Sequence, residues 1–112
     1  MSNVRALPMS TVPQEIVAYH AAGKALACEL DASPFLCEFW PFEELARWNT
    51  QYQVPEYAPG FFGFATSGGG EMFAVSTTGQ VVCLPFIGMA PKEALPIANS
   101  WRAFEQMLRA IN

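Results

Sequence analysis

Between Phe61 and Leu84, three runs rich in aromatic and β-branched residues follow one another with very little between them. Phe61 to Ala65, Glu71 to Ser76 and Gln80 to Leu84 read as strands. Ser67-Gly68-Gly69-Gly70 joins the first pair and Thr77-Thr78-Gly79 joins the second. Links this short make antiparallel neighbours, because a parallel crossover needs roughly a dozen residues or more. Gly79 can supply the positive φ that a three-residue hairpin with a bulge requires. Pro85 has no N–H to give to a ladder, so it is expected to end the last strand or to lie at an edge. An antiparallel meander is therefore the frame that the rest of the chain must complete.

Upstream, Thr11-Val12-Pro13-Gln14 has the spacing of a weak capping box, and Ile16, Tyr19, Gly23 and Leu26 follow at helical intervals. Gly23 is the expected end of that helix, with Lys24 beside it. Residues 24–30 fit a helical extension or a strand equally well. Asp31-Ala32-Ser33-Pro34 reads as a turn. Phe35 to Trp40 reads as a strand, with Phe35, Cys37 and Phe39 on one face and Leu36, Glu38 and Trp40 on the other. Pro41 then opens a second helix, with Glu43 and Glu44 in the first turn, where the helix dipole favours negative charge. Pro41, Leu45, Trp48 and Tyr52 share its stripe. Gln53 to Gly60, with Pro55 and Pro59, is expected to be a loop. A closing helix is drawn by Ile97, Trp101, Phe104, Leu108 and Ile111, with Arg102, Glu105, Gln106 and Arg109 opposite and Asn99 or Ser100 as its cap. The order α-β-α-β-β-β-α predicts an α+β fold: a twisted antiparallel sheet of about four to five strands flanked by helices. The 112 residues suit one domain, 1–112, with 1–10 as a loose lead-in.

Charge and composition narrow the function. Six Lys and Arg against ten Asp and Glu leave a net charge of −4 and no basic patch, so no nucleic-acid partner is expected. No apolar run approaches the roughly 20 residues of a membrane helix, and Met1 to Thr11 lacks the apolar stretch of an export signal. A cytoplasmic protein with no membrane association is the expectation. Cys28, Cys37 and Cys83 form no CxxC and cannot all pair, which suits buried thiols in a reducing compartment. Charged residues make up only 14% of the chain against a usual share of about 25%. The apolar surplus leaves room for a partner face or a homodimer.

The residues that could carry chemistry are sparse. His20 is the single histidine, and its sequence neighbours supply neither a nucleophile nor a carboxylate. No ligand set has zinc spacing. The glycines before Glu71 precede a strand rather than the helix that a phosphate loop needs. Glu38, Glu43 and Glu44 are near one another in sequence, but a solvated strand–helix corner accounts for them. No catalytic residue, metal or cofactor is therefore expected. Trp40, Trp48, Tyr52 and Tyr57, interleaved with Glu38, Glu43, Glu44 and Glu56 around a Pro-rich segment, have the make-up of a protein-binding hot spot. An acidic rim would steer a basic protein toward it. An enzyme or small-ligand binder remains an alternative, requiring a deep pocket with converging carboxylates.

The ordered set of segments from Phe35 to Leu108 resembles the SUKH superfamily, which includes the fungal Smi/Knr cell-wall-assembly regulators and many bacterial relatives. Phe39-Trp40-Pro41-Phe42-Glu43-Glu44-Leu45, Trp48-Asn49, Tyr52 and Val54-Pro55-Glu56-Tyr57-Ala58-Pro59-Gly60 carry the likeness first. Phe62 to Glu71, with Gly68, Gly69, Gly70 and Glu71, is similar to the family's glycine segment. Met72 to Val75 with Thr78-Gly79 matches its hairpin, and Leu84-Pro85-Phe86-Ile87-Gly88-Met89 the tail after it. Ile97 to Trp101 and Phe104 to Leu108 match its closing helix. The chain departs from the pattern twice. Only Gly23 answers to the family's Asn-Gly-Gly after the first helix, and Ser67 stands where an acid precedes the glycines. The resemblance implies a twisted antiparallel sheet with helices and no enzymatic activity. It also implies a role common among bacterial members: immunity proteins that bind and neutralise a toxin domain, often a nuclease. An intracellular scaffold or homo-oligomeric regulator is the alternative.

Overall fold

The structure, a computed structural model, describes residues 12–111. Helix α1 spans Gln14–Ala21, and Pro13 is its N-cap with no side-chain capping bond. Thr11 of the expected capping box, like the lead-in 1–10, lies outside the described residues. Gly23, at φ +69°, takes the left-handed conformation that closes α1, and its N–H bonds to the His20 carbonyl at 3.0 Å. Residues 24–30 are resolved in favour of a strand, β1, at Ala27–Glu29. Strand β2 is Leu36–Phe39. A 3-10 turn, Phe42–Glu44, leads into α2, Leu45–Gln51. The expected loop after it contains a short helix, α3, at Val54–Tyr57, entered through Gln53 at φ +56°. The meander follows as β3 Phe61–Thr66, β4 Glu71–Ser76 and β5 Val81–Pro85. Pro85 ends β5 as expected. A 3-10 turn at Pro91–Glu93 precedes β6, Leu95–Ala98, then α4, Trp101–Met107, and β7, Arg109–Ala110.

The fold is α+β, and its sheet is antiparallel with order β6-β5-β4-β3-β2-β1-β7. Seven strands replace the expected four to five. The additions have a common cause: short segments flanking helices gain more by completing the sheet than by prolonging a helix. Ile97 sits in β6 beside β5. Leu108 turns extended and Ile111 donates its N–H to the Ala27 carbonyl at 3.0 Å, so the closing helix is confined to Trp101–Met107. Ser100 caps it, its hydroxyl accepting from Ala103 N–H at 3.1 Å. Phe35 is a second correction. It lies in the β1–β2 turn at φ +71° and is 59% exposed, leaving Cys37 and Phe39 as the buried face of β2.

Four consecutive residues are buried in each of β4 and β5. Burial without alternation means that both faces of the sheet are covered there. On one face Phe39, Phe64 and Phe73 meet Trp101 and Phe104 of α4, with ring centroids between 5.1 and 6.5 Å. Tyr19 of α1 stacks on Phe39 at 4.3 Å and seals that face. On the other face α2 is tied to β3 by a polar bond. Buried Asn49 accepts the Gly63 N–H at 2.7 Å and donates to the carbonyls of Gly63 and Leu45, both at 2.8 Å. Strand β2 pairs with β3 only at Glu38↔Thr66 and Phe39↔Ala65, so at Gly63 the Asn49 side chain supplies what a neighbouring strand would have supplied. Gly63 itself leaves space for Met72, whose sulfur an added Cβ would meet.

Candidate functional site

The helix periodicity that buries Leu45 also brings Trp48 and Tyr52 onto one stripe, four residues apart. Their rings stack at 5.6 Å. Trp40, at the exit of β2, joins both, at 6.0 Å from Trp48 and 6.3 Å from Tyr52. Phe86, just beyond β5, closes the other end at 4.6 Å from Tyr52. The result is a four-ring ladder running from β2 across α2 to the β5 exit. Trp40 is buried to 9% exposure and backs the ladder, whereas Trp48, Tyr52 and Phe86 are half-buried and present ring surface.

Tyr52 and Phe86 continue into a groove of about 490 Å³ lined also by Gln53, Tyr57, Ile87 and Met89. Tyr57 is 49% exposed and Ile87 92% exposed, so the groove has an apolar lip that the protein leaves uncovered.

The expected acids are placed unequally. Glu44 belongs to the ladder: its Oε1 accepts the Trp48 indole N–H at 3.0 Å. Arg47 lies over the same indole, 4.8 Å from its centroid, and reaches the same oxygen at 3.3 Å. Glu56 accepts from Gln53 at 3.0 Å at the groove's edge. Glu38 is exposed on β2, on the strand face shared with Trp40. Glu43 is exposed on the α1 side, where its charge acts on His20. Asn49, Arg47 and Ile87 are contributors that sequence reading did not assign. Asn49 is identified only by its tertiary pairing with Gly63 and Arg47 by its local place over Trp48 within α2, while an isoleucine beside Pro85-Phe86 carries no mark of exposure.

The family-like positions resolve into structural roles. Gly68 and Gly70 take φ +79° and +101°, values that suit glycine in the tight β3–β4 link. Ser67, buried, organises that link: its hydroxyl accepts from the N–H groups of Gly69 at 3.1 Å and Glu71 at 3.3 Å and donates to Glu71 at 3.1 Å. Trp101 and Phe104 belong to the core.

Burial favours the neutral forms of His20, Cys37 and Cys83. Burial lowers the His20 pKa below its ordinary value, with Glu43 opposing in part. Burial drives the Cys37 thiol far up and pushes Cys83 up to about 12. All three cysteines are free and buried. Among the described residues no three His, Cys, Asp or Glu side chains gather as a metal site requires, and no helix is long and apolar enough to cross a membrane.

The fold and ladder define a small α+β protein whose central strands are covered on both faces and which carries a half-open aromatic strip. No family model and no curated protein sequence matches the chain.

Proposed function

We propose that the chain is a SUKH-like, non-enzymatic protein-binding module of the cytoplasm, acting as an immunity protein that occludes a bacterial toxin domain, a nuclease being one candidate. The reading is carried by the half-open ladder of Trp48, Tyr52 and Phe86 with its apolar groove. Large aromatic side chains left accessible beside carboxylates are what a partner's anchor residues and basic rim engage. Between residues 38 and 57, Glu38, Glu43, Glu44 and Glu56 stand against the single cation Arg47, which suits the basic surface of a nucleic-acid-cleaving domain. Tyr57 and Glu56 flank the groove, and Trp40 holds the ladder from behind. The test is co-expression of the full chain with the toxin domain encoded beside it. The expected result is a co-purifying complex and protection of the cells, both lost in a Trp48→Ala, Tyr52→Ala double variant that still folds. Neither protection nor a complex with the native chain would overturn the reading.

A second reading, a homo-oligomeric scaffold, draws on the sheet edge. Strand β6 is terminal in the sheet, and its Leu95 is 59% exposed. An open apolar edge is a template for pairing with a second copy. Light scattering of the purified chain distinguishes the two: a concentration-independent dimer that Leu95→Lys dissociates favours the scaffold.

A further inference from the structure

We infer that Trp48 and Glu44 form a receiving site for an arginine side chain of the partner, and that Arg47 occupies that site as a placeholder in the free protein. The inference deepens the protein-binding reading above by naming the partner group that the ladder recognises.

The geometry is that of a guanidinium clasp. A planar cation over an indole face within about 6 Å of its centroid is attracted by the ring quadrupole, and guanidinium stacks there better than ammonium does. Arg47 lies at 4.8 Å, inside that range. The second half of the clasp is the carboxylate. The Trp48 N–H donates to Glu44 Oε1 at 3.0 Å, which fixes the carboxylate beside the ring whose face receives the cation. The protein thus demonstrates on itself that the pair accepts a guanidinium.

Arg47 is a poor permanent tenant. It sits three residues from Glu44 on the same helical turn and reaches only Oε1, the oxygen already shared with the indole, at 3.3 Å. Its side chain stays 59% exposed and that of Glu44 37% exposed, so solvent weakens the pair and both remain reachable. A guanidinium arriving from outside is free of the helical tether and can fork across both carboxylate oxygens while stacking on the ring. The surrounding charge favours such an arrival, because Glu38, Glu43, Glu44 and Glu56 outnumber Arg47 four to one between residues 38 and 56. Tyr52, one turn along at 5.6 Å, extends the flat surface for the rest of the incoming segment.

The experiment is a titration of the full chain followed through the Trp48 indole N–H resonance, using N-acetyl-arginine amide, N-acetyl-lysine amide and N-acetyl-glycine amide as probes. In Arg47→Ala, the arginine probe is expected to shift that resonance at least three-fold more tightly than in the native chain, and more tightly than the lysine probe. The glycine probe is expected to leave it in place. Adding Glu44→Gln to Arg47→Ala is expected to remove the response, while the amide spectrum away from α2 stays native and so excludes misfolding. Equal responses to all three probes, or no gain on removing Arg47, would overturn the inference. The two readings fail separately. Arginine selectivity without any toxin complex sinks the immunity role alone. A toxin complex that tolerates Glu44→Gln, with no arginine selectivity, sinks the clasp alone.

Discussion

The two faces of the sheet use the same residue type in opposite ways. On the α4 side, Phe39, Phe64, Phe73, Trp101 and Phe104 are each at most 6% exposed, and Tyr19 closes over them. On the α2 side, Trp48, Tyr52 and Phe86 stack as closely yet remain half-buried, and the helix is attached through buried Leu45 and the polar pin Asn49. The difference lies in the cover. Helix α4 lies over its rings together with α1, whereas α2 turns its own rings along its flank, where the short α3 and the Phe86 segment leave them partly open. Aromatic density alone therefore does not separate sealed core from half-open surface; the second layer of cover does.

The contrast can be broken most forcefully on the sealed face. Phe104→Ala is expected to cost about 3–5 kcal/mol, the range for a fully buried aromatic, read as a lowered midpoint in urea denaturation. A loss below about 1 kcal/mol would mean that α4 is not the cover described. Asn49→Leu comes next. It leaves the buried N–H and C=O of Gly63 unpaired at the bulge, at an expected cost of about 2–3 kcal/mol in the same assay. If the leucine variant were as stable as the native chain, α2 would be held by apolar packing and the polar pin would be incidental. Tyr52→Ala should cost only about 1 kcal/mol, since the ring is half in water already. That variant sharpens the comparison: a small stability loss joined to a large binding loss marks a surface residue, and the reverse marks core.

The smallest effect concerns His20, whose ring lies between the two regions, 5.4 Å from Phe42 and 6.2 Å from Phe39. Burial lowers its folded pKa below the ordinary histidine value of about 6.5. The unfolded chain therefore binds a proton at a higher pH than the folded chain does. The stability contributed is fully present above about pH 6.5 and is lost as the pH falls from there through the lowered folded value. His20→Gln should flatten the stability profile between pH 7 and pH 5 relative to the native chain, measured as thermal midpoints across that range. An unchanged slope would place the acid sensitivity elsewhere.

Much of the frame was legible along the chain. The meander, its two tight links, the Pro85 stop, the Gly23 helix end and the Ser100 cap are local devices. Each follows from what one or two residues permit their own backbone to do. The candidate site was legible in part: the density of aromatics among acids points to Trp48, Tyr52 and Tyr57, and to Trp40, although its place is behind the ladder. The ends of the chain misled, because Ile97 and Ile111 keep helical intervals with Trp101 and Leu108 but find strand partners in β5 and β1. Periodicity records only the intervals between apolar residues and carries no information on which distant segment offers hydrogen bonds.

The sequence by itself determined the antiparallel pairing of β3, β4 and β5, since short glycine links leave the backbone no other route. It also determined the acidic, aromatic character of the 38–57 stretch. Tertiary structure alone decided that the sheet grows to seven strands, that Asn49 is an internal pin and not a surface amide, and that Phe86 packs on Tyr52. Those outcomes depend on which groups meet across many residues of chain, and a meeting of that kind is a property of the packed molecule.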